Sequence, residues 1–234
     1  MEDSMIRDRI ICEKKAFMCR LFSSFLFILI AVMLFWVPVG VFSFLCWATF
    51  AFLAYEIFSV KTQEKILLQV IALVFCFLGI RSFLYCREAL GQLGCIFLIC
   101  ISAFTDTGAY VFGKILLGPK LCPKISPQKT WAGFWGGILL ADTFFFALKG
   151  VFFKFSPGGC LADDNWKIFL TVQAVILACI AGDLSESGFK RALGVKDMGD
   201  LFPGHGGLLD RLDSLLAASI ILALINMFFY GGMA

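Results

Sequence analysis

Apolar residues run along the chain in long blocks separated by short polar stretches. A bilayer core about 30 Å thick takes roughly 20 apolar residues in a helix. The first block, 17–58, is about twice that length, and Pro38-Val39-Gly40 falls near its middle. It therefore predicts two helices, 17–37 and 40–58, joined by a tight turn. Further blocks at 66–84, 90–112, 131–153, 167–184 and 208–230 bring the expected spans to seven. Basic residues ahead of the first block resemble a secretory signal. The apolar stretch is long, however, and no small-x-small cleavage site follows it, so it is read as a membrane anchor. The expected fold class is all-α: a polytopic integral membrane bundle of about seven transmembrane helices with cytoplasmic polar loops.

Composition removes the other classes. Of 234 residues, 60% are apolar and 16% charged, where soluble domains run near 45–50% and about 25%. Mean hydropathy is +0.91, and the 28 Phe exceed what one soluble core of this size hides. Intrinsic disorder and a small secreted disulfide scaffold are both excluded. A net charge of +3 gives no argument for nucleic acid as a partner. The 10 cysteines form no CxxC pair and sit mostly inside apolar runs, as Cys46, Cys76, Cys95, Cys100 and Cys179 do. They read as small core side chains, with no zinc or haem site.

Charge placement orients the bundle. With the N-terminus inside, fifteen of the 20 Lys and Arg fall on the cytoplasmic side, as the positive-inside rule requires. Both longer polar stretches, 113–130 and 185–207, then face the cytoplasm. Ionisable groups at membrane depth usually mark function. Asp106 lies about 9 Å inside the cytoplasmic end of its span, at 1.5 Å per residue. Asp183 is expected to close the sixth span and Asp210 to open the seventh, which lets two antiparallel neighbours bring them together. Converging carboxylates repel unless a proton or cation lies between them. With oxygen ligands and no paired His or Cys, that cation is expected to be Mg²⁺. Helix capping or pairing with Arg remains open for each Asp, and Asp210 and Asp213 also suit a helix N-terminus. Asp142, near the middle of the fifth span, is expected to hydrogen-bond a neighbouring helix. Lys114, Lys120, Lys124 and Lys129, with Lys190, Arg191, Lys196 and Arg211, suit a polyanion at the membrane surface. Gly204, Gly206 and Gly207 around His205 could turn backbone N–H groups toward phosphate oxygens. His205, the sole histidine, is read as a phosphate or structural residue rather than a general base.

Three stretches then carry a resemblance. They are Asp106-Thr107-Gly108-Ala109-Tyr110, Ser126-Pro127-Gln128-Lys129-Thr130-Trp131-Ala132-Gly133 with Gly136-Gly137, and a long signature. The signature runs from Gly182-Asp183 through Lys190-Arg191 and Lys196-Asp197 to Pro203-Gly204-His205-Gly206-Gly207-Leu208-Leu209-Asp210-Arg211-Leu212-Asp213-Ser214. Together they resemble the phosphatidate cytidylyltransferases (CDP-diacylglycerol synthases) over roughly residues 100–215. The resemblance divides the chain into N-terminal transmembrane helices over 1–100 and a catalytic transmembrane region over 101–234. It implies that CTP and phosphatidate are converted to CDP-diacylglycerol and pyrophosphate with Mg²⁺. It assigns Asp183 and Asp210 to the metal and makes Ser187 a further oxygen donor. Lys190, Arg191, Lys129 and Arg211 become phosphate contacts, and Asp106 a nucleotide or cation contact. It also implies a lipid-bilayer setting, the inner membrane for a bacterial chain, with the site facing the cytoplasm; a homodimer stays open. The rival readings are a CDP-alcohol phosphotransferase, a CTP-dependent polyprenol kinase and a transporter. The first lacks its Asp-rich string here, the second does not carry the long signature, and the third would lead one to expect an internal repeat.

Overall fold

The computed structural model describes residues 37–60, 65–116, 118–154, 165–195, 198–199 and 207–229. In hydrocarbon, backbone N–H and C=O groups must be satisfied within their own segment, which leaves helices as the available solution for these apolar blocks. The helices are α1 (Val39–Ser59), α2 (Ile66–Ile115), α3 (Trp131–Lys154), α4 (Asn165–Leu193) and α5 (Leu209–Phe229). All five are long and apolar enough to cross a membrane. Many of the side chains they turn outward are large and apolar, and Phe228 and Phe229 are 79% and 78% exposed.

Five helices among the described residues stand where seven spans are expected, for two reasons. The expected span 17–37 lies outside the described residues apart from Val37. The blocks 66–84 and 90–112 run together as α2, which is broken at Gly91 (φ 69°, ψ −163°). The Cys95 thiol reaches the Phe83 carbonyl at 4.0 Å, whereas residues twelve apart in a straight helix lie roughly 18 Å apart. The chain therefore doubles back at Gly91, where a positive φ suits glycine. Each arm, 66–90 and 92–115, exceeds the roughly 20 residues a span needs.

Small residues set the helix contacts. A Cβ on Gly108 would sit 2.5 Å from the Gly136 carbonyl, and one on Gly133 2.6 Å from that of Ala109. The returning arm of α2 and α3 thus pack backbone to backbone, as small residues spaced four apart permit. Farther along the same pair, Phe104 stacks on Phe144 at 3.9 Å. Helices α4 and α5 meet at Gly182, where a Cβ would lie 2.7 Å from the Asp213 carbonyl. Asp142 accepts a 2.6 Å hydrogen bond from Gln173 Nε2, tying α3 to α4 as expected. Cys46, Cys76, Cys95 and Cys179 are buried and free.

The two polar stretches correct the sequence reading. Residues 113–130 are not plain loop. They hold an antiparallel hairpin of β1 (Lys120–Cys122) and β2 (Ser126–Thr130), with Lys120 opposite Thr130 and Cys122 opposite Ser126, so the fold is helical but not purely all-α. Asp183 does not close its helix, because α4 continues to Leu193. An i,i+4 pair between Glu186 and Lys190 at 2.8 Å supports the extension, and Lys190 and Arg191 in the last turn suit the dipole. Gly194 (φ 81°) ends the helix. Its N–H donates to the Arg191 carbonyl at 3.1 Å and that of Val195 to the Lys190 carbonyl at 3.0 Å, a Schellman cap. Lys65 Nζ donates to the Ala192 carbonyl and Arg191 Nε to that of Ile125. These contacts gather both polar stretches at one end of the bundle.

Candidate active site

Helical spacing builds the site. Asp183, Glu186 and Lys190 at i, i+3 and i+7 share a face of α4, and Asp210 and Asp213 at i and i+3 share a face of α5. Because Gly182 lets the two helices approach, these faces meet. Carboxylate oxygens of Asp183, Glu186 and Asp213 all lie within 4.8 Å of one another. Asp106, on the returning arm of α2, accepts from Ser214 Oγ at 3.4 Å and lies within the field of Asp183 and Asp213. Four carboxylates from three helices thus converge near one end of the apolar bundle.

Two lysines flank them. Lys129 comes from β2 and places Nζ 2.8 Å from Asp183 Oδ1; Thr130, beside it, accepts from the Gly133 N–H at 3.1 Å and joins the hairpin to the first turn of α3. Lys190 Nζ bridges Glu186 Oε2 at 2.8 Å and Asp210 Oδ1 at 3.1 Å. Asp210 Oδ2 also accepts from the Gly207 N–H at 2.9 Å and the Met198 N–H at 3.5 Å, which orders the start of α5. Asp183 and Asp210, paired by the sequence reading, each associate with Glu186: Asp183 lies in its carboxylate group, and Asp210 shares the Lys190 ammonium with it. The three-carboxylate group within ligand range holds Asp183 but takes Glu186 and Asp213 as its other members.

The remaining candidates fall around this centre. Ser187 is half-buried on α4, Arg191 is exposed beside the hairpin, and Arg211 is exposed on α5 within the field of Asp106. His205, Lys196 and Asp197 lie outside the described residues. Glu186 was given no role by sequence, and Asp213 only that of a helix-terminal acid. The available signal was i,i+3 spacing, hidden for Glu186 by reading 185–207 as loop. Glu56 of α1 was missed altogether. It is 4% exposed, and its two oxygens accept the N–H groups of Leu208 and Leu209, each at 3.0 Å.

The donor set suits a hard divalent cation. It offers oxygen only, and Glu186 Oε1 is buried without a hydrogen-bond partner among the described residues, a demand that a proton or cation meets. Carboxylates in ligand range of one another, ammonium groups beside them and a surrounding apolar bundle mark a membrane protein with a charged site at one end of its helices. The comparisons narrow that class. The profile of the cytidylyltransferase family matches residues 6–229, and the chain belongs to that family. It is 41% identical over 144 residues to a phosphatidate cytidylyltransferase of Brucella melitensis, covering 61% of this chain and 50% of the relative. The same name is carried by a Haemophilus influenzae protein, 45% identical over 114 residues (48% of this chain, 38% of the relative). It is also carried by a Rickettsia conorii protein, 41% identical over 133 residues (55% of this chain, 56% of the relative). These alignments span about half the length of those relatives.

Proposed function

We propose that this chain transfers a cytidylyl group from CTP to phosphatidate, giving CDP-diacylglycerol and pyrophosphate, in a bacterial inner membrane with the site facing the cytoplasm. The observation that carries the reading is the group Asp183, Glu186 and Asp213, flanked by Lys129 and Lys190 at one end of an apolar helix bundle. Family membership and the names of the relatives agree with it. The cytoplasmic orientation rests on fifteen of 20 basic residues falling on the site's side.

A phosphatidate oxygen attacks the α-phosphorus of CTP in line, and the bond to the bridging oxygen breaks as pyrophosphate leaves. Little covalent chemistry falls to the protein, so positioning and charge neutralisation supply the catalysis. Mg²⁺, when bound, neutralises phosphate charge; Asp183, Glu186 and Asp213 are the residues proposed to hold it, with Asp210 across Glu186 and Ser187 and Asp106 nearby. Lys129, anchored by Asp183, retains N–H groups for a phosphate oxygen. Lys190 holds Glu186 and Asp210 in place and contributes positive charge beside the reacting groups. Arg191 and Arg211, both exposed, are suited to the pyrophosphate that departs toward water. The acyl chains stay in lipid against the apolar faces. Incubating purified protein with CTP, phosphatidate and Mg²⁺ tests the reading: pyrophosphate is expected, whereas CDP would indicate a kinase.

A further inference from the structure

The start of α5 carries two site carboxylates, yet part of what holds it comes from the far end of the sequence. The first N–H groups of any helix lack intrahelical acceptors. Here those of Leu208 and Leu209 donate to Oε1 and Oε2 of Glu56, 152 and 153 positions earlier in the chain. Glu56 is buried near the C-terminal end of α1, and its negative charge faces the positive end of the α5 dipole. Gly199 and Gly207 close around this carboxylate, and a Cβ on either would collide with Glu56 Oε1. One residue farther into α5, Asp210 draws in the N–H groups of Gly207 and Met198. Asp213 follows within the same turn, in the three-carboxylate group. Two carboxylates from different helices thus gather one backbone segment, and among the described residues Glu56 is not a member of the three-carboxylate group.

We propose that Glu56 is a positioning residue for the transfer reaction. Its bidentate grip on the Leu208 and Leu209 amides sets the axial position and rotation of the first turn of α5, and through it the placement of Asp210 and Asp213. The inference rests on the function proposed above. A shift of about 1 Å in a catalytic group costs on the order of 10²-fold in rate, so loss of the grip lowers turnover more than substrate binding. Glu56→Gln keeps one acceptor oxygen and sets an amide donor against the second N–H; Glu56→Ala removes both acceptors.

The test uses the full chain in detergent, following cytidylyl transfer together with hydrogen exchange of the segment 207–213. In Glu56→Gln, kcat falls about 10-fold or more while KM for CTP and phosphatidate stays within about 3-fold, and exchange quickens at 207–213 but not elsewhere. Glu56→Ala shows the same pattern, more strongly; if it fails to fold, Glu56→Gln decides. Unchanged kcat in Glu56→Gln overturns the positioning role, and so does exchange that quickens uniformly, which marks a merely structural residue. Wild-type protein that makes no CDP-diacylglycerol overturns the functional reading itself, a result distinct from any variant's failure.

Discussion

Lys190 offers a sharp energetic test because one ammonium neutralises two acids. Nζ lies 2.8 Å from Glu186 and 3.1 Å from Asp210, whose side chains are 5% and 9% exposed. Lys190→Met keeps most of the aliphatic stem and deletes the charge. At an effective dielectric near 20, each contact is worth about 5–6 kcal/mol of Coulomb attraction before desolvation. Dehydration of the ions and repulsion between the two carboxylates offset much of this. Removing one partner of a buried ion pair typically costs about 3–5 kcal/mol, because the other charge is left unpaired. In a domain of this size about 2–4 °C accompanies each kcal/mol, so a fall in Tm of roughly 6–20 °C is expected. Thermal unfolding in detergent reads it, with Lys190→Arg retaining most stability. Adding Glu186→Gln to Lys190→Met removes one stranded charge and recovers part of the loss, a non-additivity expected of groups in contact. A Tm for Lys190→Met within about 2 °C of wild type would refute the claim that this ammonium holds the two helix faces together.

Other outcomes follow from the same geometry. Asp183→Asn and Asp213→Asn each lower pyrophosphate release on the order of 10²-fold or more, as loss of a charge-stabilising group does, whereas Asp142→Asn, paired with Gln173 away from the site, loses far less. Gly182→Ala forces a methyl against the Asp213 carbonyl and Ala217, costing about 1–3 kcal/mol in unfolding and lowering turnover with it. Reporter fusions at Gly118 and Gly194 both read cytoplasmic; an external reading at either separates the hairpin from the end of α4 and removes the shared site.

The apolar helices among the described residues were legible because a bilayer asks for one property, about 20 apolar residues, that sequence displays directly. The Gly91 reversal falls one residue inside the expected block 90–112, close to the gap after 84. Hydropathy nevertheless reports the edge of the membrane and not the end of a helix. At Asp183 the apolar run stops, but Leu184 to Leu193 continue as helix, and the true stop is Gly194 with its positive φ. That misreading hid Glu186, which acquires meaning only when i,i+3 spacing applies to it. The hairpin at 120–130 was not legible, since strands of 3 and 5 residues with Pro127 in one of them carry no alternation of their own. Glu56 was beyond local reasoning altogether, because its partners are amides 152 and 153 positions away and amides have no sequence signature. The basic and acidic residues of the signature were legible as chemistry, but which acid faces which base needed the rotation of α4 against α5.

Isotope position decides whether the α-phosphorus of CTP is the atom attacked. Purified protein in detergent is given phosphatidate, Mg²⁺ and CTP labelled at either the α- or the γ-phosphate. The α-label is expected to enter the lipid fraction as CDP-diacylglycerol while γ-label leaves in pyrophosphate, in equal amounts. Transfer of γ-label to lipid, with CDP as the other product, would contradict it.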